Sequence, residues 1–134
     1  MSTQQTAALV QEFIAEAWNG HRPEAARDYL AENFVDHDNR TALSGIEGMQ
    51  QWLALTTKIF DHQTIIEDQI TEGDRSFIRL TFRVVQRGEF RGIAATGKSA
   101  ETNGYRVFRV TDGKIVEHWG FINGDRLVEQ LKAD

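Results

Sequence analysis

The chain's hydrophobic periodicity predicts an α+β fold: a curved, antiparallel-rich sheet packed against three helices and enclosing a small-molecule pocket. Two observations carry this. Apolar residues recur at spacings of three and four as far as Phe60, and at strand-like spacing after His62, so helices and strands are segregated rather than alternating. Glycines at 88, 92 and 97 interrupt the strand-rich half and call for a bend or long hairpin, so the sheet curls.

Leu9, Val10, Phe13, Ile14, Ala17 and Trp18 form one apolar stripe and predict the first helix. Asn19-Gly20 ends it, glycine suiting the left-handed position after a helix. Pro23 opens a short second helix with Ala26, Tyr29 and Leu30 facing inward. Residues 33–41 are polar and mixed and read as a loop. Ser44-Gly45-Ile46-Glu47 is a capping-box pattern and starts a third helix through Ile46, Met49, Leu53, Thr56 and Phe60. Strands follow at 63–71, 76–86, 105–110 and 114–121, with turns at Gly73-Asp74 and Asp112-Gly113. A short helix over 125–132 closes the chain.

Length fits a single domain over 1–134. A net charge of −5 without a basic run argues against nucleic acid. The chain has no cysteine, which excludes disulfides and thiolate metal sites and suits a reducing cytoplasm. No signal-peptide pattern or membrane-length apolar run is present. The four histidines show no metal-ligand spacing, and no phosphate loop or dinucleotide motif occurs, so neither metal nor cofactor is expected.

The segment Asp112-Gly113-Lys114-Ile115-Val116-Glu117-His118-Trp119 resembles the DGKIxEHW hairpin of SnoaL-like proteins, members of the nuclear transport factor 2-like superfamily. Phe108-Arg109 before the turn fits the same pattern. So do Gly88-Glu89-Phe90-Arg91-Gly92 with Thr96-Gly97-Lys98, Phe34-Val35-Asp36-His37, and the closing Leu127 to Leu131. The resemblance covers nearly the whole chain. It implies a cone-shaped fold, a small apolar ligand without cofactor, and a homodimer formed through the convex face of the sheet. It also implies a departure. Gly120 stands where the family pattern carries an acidic residue, and Arg106 where the cyclases carry a histidine. Neither glycine nor arginine takes a carbon-bound proton near neutral pH, which counts against the family's aldol cyclisation.

Four residues are candidate catalytic groups. His37, flanked by Asp36 and Asp38, is a candidate base beside a carboxylate, or else a loop histidine ordering the entrance. Symmetric pairing about Asp112-Gly113 sets Arg106 opposite His118 on a face shared with Phe108 and Gly120. On a concave face they place a cation and a titratable group in the pocket; on a convex face they meet solvent or another subunit. Trp18, Trp52, Tyr105 and Trp119 are candidate pocket walls or core aromatics, and Asn123 a candidate hydrogen-bond donor or a turn residue. Two function classes follow: a cyclase-, isomerase- or hydrolase-type enzyme on a small apolar carbonyl or cyclic compound, and a non-catalytic binding protein that kept the fold. A water-activating pair drawn from Arg106 or Arg83 with Asp36 or Asp38 is a further variant of the first.

Overall fold

The computed structural model describes residues 2–38 and 40–133. Helix α1 (Thr3–Phe13) opens on a reciprocal capping box. Ser2 Oγ accepts from the Gln5 amide at 3.1 Å, and Gln5 Oε1 accepts from the Ser2 amide at 2.9 Å. The helix widens into a π-helical turn, Ile14–Asn19, and the expected apolar stripe from Val10 to Trp18 is buried along it. Gly20 is not left-handed, contrary to expectation; its φ is −77° and His21 takes the positive value of 53°. Glycine is needed at 20 for another reason: a Cβ there would lie 2.4 Å from the Glu16 carbonyl oxygen. Asn19 ties this turn to the sheet through two hydrogen bonds to the Thr64 backbone, at 2.6 and 2.9 Å.

Pro23 starts a 3₁₀ turn, Pro23–Ala25, that leads into α2 (Ala26–Tyr29). The predicted loop at 33–41 is then corrected. Leu30–Asp36 form strand β1, which lies parallel to the last strand at the edge of the sheet. Its polar sequence hid it, because only Leu30 and Phe34 are buried. Helix α3 (Gly45–Ile59) buries Ile46, Met49, Leu53 and Thr56 as expected. Its predicted capping box does not form, since Ser44 makes no side-chain cap bond. The preceding loop folds over this terminus instead, so closely that a Cβ on Gly48 would lie 2.5 Å from the Leu43 carbonyl oxygen.

Four long strands follow: β2 (Phe60–Glu72), β3 (Arg75–Gln86), β4 (Ser99–Thr111) and β5 (Lys114–Ile122), before α4 (Gly124–Lys132). The order across the sheet is β1-β5-β4-β3-β2, antiparallel except for β1 beside β5. β4 begins six residues earlier than its apolar pattern suggests, because its first inward positions are Ala100, Thr102 and Gly104. Asp112 and Gly113 both have positive φ, 51° and 77°, as a two-residue hairpin turn requires.

The pairing is not symmetric beyond that turn. Val110 pairs with Ile115, but Arg109 pairs with Glu117, so Val116 is the extra residue of a bulge. Arg106 therefore sits opposite Gly120, and Phe108 opposite His118. Arg106 and His118 are diagonal neighbours on one face rather than a direct pair. That face carries Phe108, Leu80 and Ile78 and packs against the helices, with Phe13, Met49 and Leu53 completing the core.

Candidate functional site

Period two on β4 and β5 sends Arg106, His118 and Gly120 to the helix-covered side of the sheet. The parallel register of β1 sets Asp36 beside His118. The result is a buried polar row. His118 Nδ1 lies 2.9 Å from Asp36 Oδ1, and His118 Nε2 lies 3.2 Å from Arg106 Nη1. The Arg106 guanidinium rests 4.2 Å above the Trp18 ring centroid.

Charge states follow from the surroundings. Burial holds His118 below its ordinary value, outweighing the Asp36 hydrogen bond that favours the imidazolium. Burial alone would raise Asp36, but the His118 hydrogen bond and neighbouring charges leave it below the usual carboxylate value. The neutral-pH row is thus carboxylate, imidazole, guanidinium. Nδ1–H donates to Asp36, and the lone pair on Nε2 accepts from Arg106. Burial brings Arg106 down to about 10, so it stays cationic at neutral pH.

Arg106 is 4% exposed, yet among the described residues no carboxylate lies within ion-pair distance of it. Its Nε has no hydrogen-bond partner, nor does the indole N–H of Trp18 beside it. Both residues line a cavity of about 90 Å³. Its walls are apolar, with Trp52, Phe60, Phe82, Phe90 and Leu127 among them. Half-buried Asp38 lines it too, with exposed Arg40 and Arg91 at the rim. The row packs closely on Gly120: a Cβ there would meet His118 Nε2 and Cε1 at 3.0 Å and Arg106 Nη1 at 3.4 Å.

Asp36, Arg106 and His118 are brought together, and Trp18 and Trp52 line the cavity beside them. Other candidates lie elsewhere. His37 is on the opposite side of the sheet, its Nε2 2.7 Å from Glu117 Oε2 and its ring stacked 4.7 Å from Trp119. Trp119 and the 42%-exposed Tyr105 share that outer face, because both occupy outward positions of their strands. Asn123 caps α4, its side chain accepting from the Arg126 amide at 3.3 Å. Arg83 is on the outside, paired with Glu101 at 3.3 Å. Phe60, Phe82 and Phe90 escaped the sequence reading as pocket residues, although Phe82 stands in phase with other inward positions of β3.

A mixed sheet with one helix-covered face, an apolar cavity and a buried polar row that reaches it through Arg106 defines a small-molecule-binding fold of the cyclase type. The chain belongs to the SnoaL-like polyketide cyclase family, whose model matches residues 8–131. Among solved structures it is similar to TsrD from Streptomyces laurentii, with 26% identity, coverage of 100% of this chain and 99% of that one, and a TM-score of 0.86. AclR from Streptomyces galilaeus, described as a candidate hydroxylase, shares 28% identity over 97% of each chain at a TM-score of 0.84. IdmH from Streptomyces antibioticus, described as a candidate polyketide cyclase, shares 27% identity over 96% of this chain and 99% of that one, at 0.85. No curated protein matches the chain. No helix among the described residues is long and apolar enough to cross a membrane.

Proposed function

We propose that this protein is a cofactor-independent enzyme of the cyclase–isomerase type, acting on a small, largely apolar carbonyl compound. One observation carries the reading: a buried guanidinium at an apolar cavity, with no carboxylate in contact and an unused N–H. Burying such a cation is costly unless a partner arrives, and a ligand oxygen gaining negative charge is the partner that chemistry supplies. His118 provides the complementary function. Arg106 transfers its Nη1 hydrogen bond from His118 Nε2 to the ligand carbonyl oxygen; the freed Nε2 lone pair takes a proton from the adjacent carbon, the C–H pair becomes the C=C bond, and the carbonyl π pair settles on the oxygen as an enolate that Arg106 stabilises. Asp36 holds the imidazole in the required tautomer and stabilises the imidazolium formed. Gly120 keeps a side chain off His118 Nε2, which a Cβ there would approach to 3.0 Å.

The cavity is small. At about 90 Å³ it does not enclose a polycyclic substrate whole, so a larger substrate extends through the rim. The enzyme works in the cytoplasm as a homodimer, pairing through the convex face where Tyr105 and Phe121 are exposed. The second reading is a binding protein without turnover, and Gly120 in place of an acid favours it.

The test is a thermal-shift screen of aromatic polyketides, steroids and terpenoid epoxides, followed by NMR of each bound ketone in D₂O. Exchange of the protons next to the carbonyl, accelerated by the protein, supports the enzyme. Ligand stabilisation with no exchange rejects it in favour of the binding protein.

A further inference from the structure

The connection between β3 and β4, residues 87–98, has little regular structure, and most of its side chains are exposed. Its only ladder contact is a Phe90–Ile93 bridge, with Arg91 at φ 48° and Gly92 at φ 81°. Even so it closes one side of the cavity. Phe90 packs on Phe60 with ring centroids 5.0 Å apart, and both Phe90 and Arg91 line the cavity.

The strap leaves β3 on two backbone hydrogen bonds, from the Arg87 and Gly88 amides to the Ile59 carbonyl at 2.7 and 2.9 Å, and beyond them one buried amide ties three of its points together. Gln86, 1% exposed, ends β3 on an inward position. Its Nε2 donates to the carbonyls of Gly88 and Ile93, both at 2.9 Å. Its Oε1 accepts from the Thr96 amide at 3.1 Å and from Thr96 Oγ1 at 2.7 Å. An amide has two N–H donors and two lone pairs, and here all four are used on three points of one strap. A glutamate would keep an acceptor for Thr96 but turn its other oxygen, with no proton to donate, toward the Gly88 and Ile93 carbonyls. The outer side of the strap has a weaker hold: Arg91 pairs with Asp125 at 2.9 Å and lies against Gly124, where a Cβ would come within 2.4 Å of its Nη2.

We infer that Gln86 is a positioning residue for ligand size: it fixes the 87–98 strap so that Phe90 narrows the cavity, and thereby sets the largest substrate that fits. This rests on the reading of the cavity as the binding site. Gln86 touches no ligand itself and acts through Phe90.

Two fluorescent probes, 2-naphthol and the larger 1-pyrenol, test this on the intact chain together with amide hydrogen exchange. The wild type should bind 2-naphthol at least tenfold more tightly than 1-pyrenol. Gln86→Glu should cut that preference to less than threefold and speed exchange at the Phe90, Ile93 and Thr96 amides tenfold or more, while the β2–β3 ladder keeps its protection. Phe90→Ala should lose the size preference with Thr96 still protected, which also covers the case in which Gln86→Glu fails to fold. An unchanged preference in a released strap overturns the inference and leaves the cavity reading standing. Wild type that binds neither probe overturns both. Exchange that rises equally across the ladder makes Gln86 merely structural and overturns the inference as well.

Discussion

Replacing Arg106 with methionine should make the protein more stable and unable to bind its ligand. Burial lowers the guanidinium from its ordinary value to about 10, which corresponds to about 3 kcal/mol disfavouring the cation. Methionine removes that penalty and fills similar volume with a flexible apolar chain. Two losses oppose the gain. The hydrogen bond to His118 Nε2 and the stacking on Trp18 together contribute about 1–2 kcal/mol. The net expectation is about 1–2 kcal/mol of stabilisation, within the range seen when buried ions give way to apolar residues. For a domain of this size that raises Tm by roughly 3–6 °C in calorimetry. Ligand-induced stabilisation should vanish in the same variant. A Tm lowered by several degrees would show that Arg106 is a structural residue, and the case for a cation kept for function would fall.

Three further outcomes are expected. His62 is buried, its Nδ1 has no partner, and burial with the nearby His21 lowers it from 6.5 to about 4. The unfolded chain therefore binds this proton first: stability from His62 is fully present above pH 6.5 and drains away as pH falls to 4, by about 3 kcal/mol in all. Urea midpoints across that window should fall for wild type and stay flatter for His62→Gln; parallel curves would remove His62 from the account. Gly120→Ala pushes a methyl against the His118 ring and Arg106, so it should cost about 1–3 kcal/mol in chemical denaturation. Asp36→Leu removes the acceptor of a buried N–H and should cost about 1–3 kcal/mol in chemical denaturation, with ¹⁵N NMR showing the Nδ1 signal of His118 shifted; an unshifted Nδ1 would contradict the assignment of Asp36 as its anchor.

The sequence disclosed the fold where its pattern was strong and hid it where tertiary contacts overrode pattern. The α1 stripe, the alternation of β3 and the Asp112-Gly113 turn were all legible, since each rests on local periodicity or turn chemistry. β1 was not, because an edge strand that buries two of its seven side chains shows no alternation. The first half of β4 was not, because small inward residues look like a break. At the site, residue types were readable but faces were not. Arg106 and His118 could be grouped by the period of two, while the Val116 bulge that makes them diagonal leaves no mark in composition. His37 looked like the better base because carboxylates flank it in sequence, yet strand parity sends it outward to Glu117 and Trp119 while its neighbour Asp36 turns in. Gln86 reads as an ordinary polar strand end, and only the returning strap shows its role.

The central claim is that Arg106 meets the oxygen of a bound carbonyl. The most direct measurement is ¹³C NMR of a carbonyl-labelled ketone taken from the ligand screen, bound to wild type and to Arg106→Met. The wild-type complex should show a downfield carbonyl shift, beyond that in water, and the variant should lose it. A bound carbonyl whose shift matches an apolar solvent, or is the same in both proteins, would contradict the claim.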